Sequence, residues 1–264
     1  MRKWWKQLNP MVKRMALAVF AVVILMAVVL GISRWRKGVR EEQKVTKGIA
    51  YLSDLEKQDV EGIGKEIKQI RDKYSLAMAD TDEGAVWAAF SDAAILGDSR
   101  AVGFYYHEFV PEERVLAQSG GKITDITEMP EYVERLKALN PKHIFLCFGL
   151  NDVGIGIWPT GQEYAAEYEK QMQILIQALP ESEIYINSIL PAVGVGLSAD
   201  PDYPRIGEYN EALKTMAEEK GYHYIDNTKV AEEHQDLYQE DGLHVQTEFY
   251  KYWAANMLTG VDEL

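Results

Sequence analysis

A serine follows glycine and aspartate in Gly97-Asp98-Ser99-Arg100, directly after an apolar run, with Gly103 beyond it. A hydroxyl at a strand-to-helix turn is presented at the edge of a sheet, and the neighbouring glycine allows a tight backbone there. Far along the chain stands Asp241-Gly242-Leu243-His244. Three-residue spacing lets the carboxylate hold imidazole Nδ1 while Nε2 faces a hydroxyl, which is how a serine nucleophile is activated. Between these, Gly149-Leu150-Asn151-Asp152 ends another apolar run. The Asn151 amide offers two uncharged donors, suited to an oxyanion that develops during acyl transfer. Ser119-Gly120-Gly121 adds a backbone N–H; Gly121 is the first choice of donor, with Gly120 beside it. Arg100 has two readings, a contact to an anionic or carbonyl group of substrate, or a structural salt bridge.

Such chemistry needs no cofactor and no metal. A single cysteine, Cys147, rules out an intramolecular disulfide framework and any multi-thiolate metal site. The five histidines show no HExxH or paired spacing, which argues against a zinc centre. His107, His143, His223 and His234 read as structural or solvated, and Cys147 as core. Trp158 reads as aromatic core or as the wall of a substrate groove.

Short apolar runs at 93–96, 114–117, 143–148, 183–189 and 222–225 end in small or polar residues. Helical periods at 131–139, 162–179, 206–220 and 247–258 lie between and after them. Strand followed by helix, repeated, predicts a parallel sheet with helices on both faces. Ligands bind such sheets beyond the carboxyl ends of the strands, where the candidate residues fall.

The order Ser, Gly, Asn, Asp/His at four strand or loop ends resembles the SGNH hydrolases, also called GDSL esterases or lipases. The resemblance covers residues from about 91 to 260. Gly97-Asp98-Ser99 matches the nucleophile block, Gly149-Leu150-Asn151-Asp152 the GxND block, and Asp241-Gly242-Leu243-His244 the DxxH block. The glycine block lacks the asparagine that often precedes it. The resemblance implies a flavodoxin-like α/β/α sandwich around a five-stranded parallel sheet. It also implies Ser99 as nucleophile, His244 as base, Asp241 as its orienter, and Ser99, Gly121 and Asn151 as the oxyanion hole.

Charge divides the chain. Residues 1–40 hold nine basic residues and no acidic one, so the remainder carries 19 basic against 41 acidic, a net −22. That remainder repels nucleic acid. Residues 15–32 form an uncharged run of 18, closed by Lys13 and Arg14 on one side and Arg34, Arg36 and Lys37 on the other. A helix of that length approaches the ~30 Å hydrocarbon thickness of a bilayer. Gly31-Ile32-Ser33-Arg34 offers no clear signal-peptide cleavage site. The expected order is a basic segment (1–14), a transmembrane signal anchor (15–32), a helical stalk or linker (33–90) with a break near Gly62–Gly64, and a catalytic domain (91–264). The domain is expected outside the cell membrane.

The combined reading is a membrane-anchored serine esterase acting on an acylated small molecule or carbohydrate, with an acetyl ester on surface or exported polysaccharide the preferred class. Two alternatives stand beside it. One is an O-acyltransferase of surface glycans using the same residues, with which a membrane-embedded acyl-transfer partner would fit. The other is a catalytically silent surface-binding domain.

Overall fold

The computed structural model describes residues 60–261 continuously, together with Met11, Met26, Gly31, Arg36, Lys37, Lys44 and Lys47. The expected anchor at 15–32 therefore lies, but for Met26 and Gly31, outside the described residues. Among the described residues no helix is long and apolar enough to cross a membrane. The chain divides into two compact units, residues 1–64 and 65–264, and the sheet lies in the second.

Five strands form one parallel sheet: β1 (Ala93–Gly97), β2 (Val115–Ala117), β3 (His143–Cys147), β4 (Glu183–Asn187) and β5 (His223–Ile225). Their order is β2-β1-β3-β4-β5, and every pairing is parallel. The helices are α1 (Val60–Thr81), α2 (Glu83–Ala89), α3 (Ser99–Tyr106), α4 (Asp125–Glu128), α5 (Pro130–Leu139), α6 (Leu150–Gly154), α7 (Gly161–Ala178), α8 (Ile206–Lys220), α9 (Thr228–Glu233) and α10 (Phe249–Leu258). The apolar runs thus became strands whose ends agree with expectation to within two residues.

Every residue of β1 and β3 is buried, as strands covered on both faces must be. Successive side chains point to opposite faces, so each strand feeds two cores. Ala94, Leu96, Ile144, Leu146 and Ile186 enter one, with Tyr164, Tyr168, Leu213 and Met216 of α7 and α8. Ala93, Ile95, Phe145, Tyr185 and Ile225 enter the other, with Phe104 of α3 and Trp253, Ala254 and Met257 of α10. The result is three layers.

The packing of the second unit draws in residues before the expected boundary at residue 91. Ala79, Val86 and Phe90 are buried in the second core. Trp87 stacks on Phe109, with ring centroids 4.3 Å apart and planes 8° apart. Tyr252 donates its hydroxyl to Asp80 at 2.7 Å. The break expected near Gly62–Gly64 is absent, because residues 60–81 form one helix. A glycine in a helix costs only about 1 kcal/mol, which neighbouring good helix formers offset.

With this strand order, the chain leaves β1 for one edge of the sheet and crosses to the other side through β3. The crevice at such a switch point lies at the carboxyl ends of β1 and β3. Ser99 follows the first and Asn151 the second.

Candidate active site

Asp98 caps α3: its Oδ1 accepts the Arg100 N–H at 3.0 Å. Ser99 is the first residue of that helix, so its side chain stands at the sheet's edge. Ser99 Oγ lies 2.9 Å from His244 Nε2. On the other side of the ring, His244 Nδ1 lies 2.6 Å from Asp241 Oδ2. Asp241 Oδ1 accepts the N–H groups of Leu243 and His244 at 2.9 and 3.0 Å. Burial works to raise the Asp241 carboxyl, but the bonds from the His244 ring and the two N–H groups outweigh it and hold it below its ordinary value.

The loop bearing these residues is shaped by Gly242, whose φ of 66° is left-handed. Val193 donates its N–H to Gly242 O at 2.8 Å, and a Cβ on Gly242 would collide with the Val193 carbonyl oxygen. That obstacle is backbone and cannot swing aside. Gly242→Ala is therefore expected to lower stability by at least about 1–3 kcal/mol, the usual cost of a forced backbone conformation. It should also misplace His244. Thermal melting beside kcat checks this; an unchanged Tm would contradict it.

Asn151 lies in the first turn of α6 and donates Nδ2 to Gly121 O at 3.0 Å. An amide has two N–H groups, so one remains for a ligand. The glycine segment corrects the first choice of donor. Gly121 N–H closes a turn on Gln118 O at 3.1 Å, with Gly120 at φ 75°, where a type II turn requires positive φ. Gly121 N–H is thus engaged, and its carbonyl holds Asn151. Among the described residues the N–H groups of Gly120 and Ser99 meet no acceptor.

Arg100 takes the second of its two readings, the structural ion pair. Its side chain is only 3% exposed. Nη1 donates to Leu190 O at 2.7 Å, and Nη2 lies 3.6 Å from Asp98 Oδ2. Asp98 Oδ2 also accepts Leu150 N–H at 3.2 Å. One buried ion pair thus ties the serine turn to the asparagine turn and to the segment that supports Gly242. No signal in the sequence distinguishes this arginine from a solvated one. His107 meets Thr247, His143 and His223 lie against Tyr185, and His234 stacks on Tyr252, so none joins Ser99.

Asp152, next to Asn151, is buried, and sequence reasoning assigned it no separate role. Its Oδ1 accepts Ile123 N–H at 3.0 Å, while Oδ2 has no hydrogen-bond partner among the described residues. Burial, only partly opposed by backbone N–H bonds from Ile123 and from Asp152 itself, pushes its carboxyl from 3.8 up to about 7. The folded state therefore holds this proton more tightly than the unfolded chain does. Stability from the group is complete below pH 3.8 and is lost as pH rises to about 7. Melting temperature is expected to fall across that window, and Asp152→Asn to flatten the fall. An identical slope in the variant would refute the assignment.

The fold is a doubly wound α/β sheet whose carboxyl edge brings a hydroxyl, an imidazole and a carboxylate into line. Residues 95–252 match the model of the GDSL-like Lipase/Acylhydrolase family, and the chain belongs to that family. It is therefore a hydrolase of the GDSL, or SGNH, lipase and esterase group. Among solved structures it is similar to a GDSL-like lipase from Bacteroides thetaiotaomicron VPI-5482, at 17% identity and TM-score 0.50, over 69% of this chain and 96% of that one. A lipase/acylhydrolase from Enterococcus faecalis is 18% identical, with TM-score 0.49, over 64% and 95%. An acetylxylan esterase, Axe2, from Geobacillus stearothermophilus is 20% identical, with TM-score 0.46, over 65% and 94%. At such identities the likeness concerns the fold alone. No curated protein is similar enough to the chain to count as a match.

Proposed function

We propose that the chain is a membrane-anchored, extracytoplasmic serine esterase that cleaves acyl esters of a carbohydrate or small molecule within reach of the membrane. The observation that carries this is the line Ser99 Oγ, His244 Nε2, His244 Nδ1, Asp241 Oδ2, with spacings of 2.9 and 2.6 Å. Ser99 attacks the carbonyl as His244 takes its proton, and Asp241 stabilises the imidazolium. The oxyanion is taken by Ser99 N–H, Gly120 N–H and the second N–H of Asn151. His244 then protonates the leaving alcohol, and water opens the acyl-enzyme. Water as acceptor is supported by exposure: the side chains of His244 and Asp241 are 38% and 43% exposed. A transferase must keep water from that carbonyl.

The full-length chain is expected to hydrolyse p-nitrophenyl acetate in multiple turnovers without added sugar, and Ser99→Ala to reduce it to a small residual rate. Turnover that appears only when glycan is supplied, with the acetyl group carried onto the glycan and little free acetate formed, would replace the esterase with the transferase. For placement, protease added to intact cells is expected to digest the domain. Full protection would overturn the outward orientation.

A further inference from the structure

Within residues 82–261, the large apolar side chains left exposed are Tyr106, Ile155, Ile157, Val195 and Leu197. Four of these five, 42–68% exposed, lie on two segments that adjoin the site. The first follows Asn151: Ile155 N–H donates to Asn151 O at 3.0 Å. The second, the turn Gly194–Ser198, rests on the histidine loop. A Cβ on Gly196 would stand 2.5 Å from Gly242 O and 3.0 Å from Asp241 O, so Val195 and Leu197 flank a direct contact with that loop. Tyr203 links the two segments, because a Cβ on Gly154 would lie 3.2 Å from its hydroxyl and its own short turn packs on Gly194–Ser198.

The two segments share a pattern. Gly154-Ile155-Gly156-Ile157 and Gly194-Val195-Gly196-Leu197 each alternate glycine with an aliphatic residue. Neither 153–162 nor 188–199 contains a charge, in a chain that is 26% charged. Single exposed aliphatics are ordinary, but four gathered around one site mark a surface that meets something apolar. Both segments adjoin Asn151 or the histidine loop, so an ester bound at Ser99 has them as neighbours. An acetyl group adds one methyl beyond the carbonyl and gains little there, whereas each further methylene gains the transfer energy of apolar burial.

Resting on the esterase reading, we propose that Ile155, Ile157, Val195 and Leu197 form an acyl-binding lip, and that the substrate is an ester of a medium-length aliphatic acid rather than of acetic acid. The test uses the full-length chain at one fixed detergent concentration, with p-nitrophenyl esters from acetate to octanoate. We expect kcat/KM to rise about twofold to fourfold per methylene. The double variants Ile155→Ser/Ile157→Ser and Val195→Ser/Leu197→Ser should each collapse the octanoate-to-acetate ratio of kcat/KM by about tenfold or more. These side chains face solvent, so folding is not at stake, and an unchanged Tm verifies it. A flat or falling series, with hydrolysis still dependent on Ser99, overturns the lip and leaves the esterase standing. A rising series that survives both double variants also overturns the lip. Turnover of every ester that persists in Ser99→Ala overturns the esterase reading itself, and the lip with it.

Discussion

Ser99→Ala and His244→Ala are each expected to lower kcat by about 10⁴–10⁶, and the double variant to be little worse than either single one. The reason is geometric. With Ser99 Oγ 2.9 Å from His244 Nε2, the proposed mechanism puts the hydroxyl and the base in one proton transfer, so removing either removes the same step. Residual turnover then comes from binding and the oxyanion donors alone. Melting temperature shows that each variant keeps its fold, and a fluorophosphonate probe reports the reactive hydroxyl. It should label the wild-type chain at Ser99 and leave Ser99→Ala unlabelled. Losses that multiplied in the double variant would mean that the two side chains serve different steps.

The fold was legible because its strands are buried on both faces. Runs such as 143–148 are apolar throughout and stop at small or polar residues, and those stops are where a doubly wound sheet opens its crevice. That Ser99 meets His244 across 145 residues follows from strand order, which puts the turn after β1 at the crevice. What stayed hidden depends on single long-range contacts. Arg100 is an ordinary charged residue in the sequence; its burial rests on a carbonyl at Leu190, 90 residues away. Gly120 and Gly121 are chemically identical, and only the closing of the turn on Gln118 O decides which N–H is free. Trp87 carries no mark of its partner, because Phe109 arrives from beyond β1 and α3. The charge state of Asp152 depends on how completely β-sheet and helices enclose it, which no local pattern encodes.

Asp241→Asn is expected to cost about 10⁴ in kcat, although the substitution is isosteric and removes only a charge and a proton acceptor. The surrounding bonds explain why the amide has no benign orientation. Oδ1 of Asp241 accepts two backbone N–H groups, from Leu243 and His244, at 2.9 and 3.0 Å. In the variant only the amide oxygen can occupy that position, since an NH₂ there would face two donors. The NH₂ is thereby forced toward His244 Nδ1, where Oδ2 now lies at 2.6 Å. A donor at that point selects the imidazole tautomer with Nδ1 unprotonated and the proton on Nε2. Nε2–H cannot accept the Ser99 proton, so the hydroxyl loses its base while every heavy atom stays near its place. Asp241→Ala removes the orienter but imposes no tautomer, and should be no more impaired than Asp241→Asn. Titrating active sites in both variants, beside melting temperature, isolates the tautomer effect from any loosening of the loop. An Asp241→Asn chain that kept a tenth or more of wild-type kcat, with its fold intact, would show that Asp241 does not set the protonation of His244.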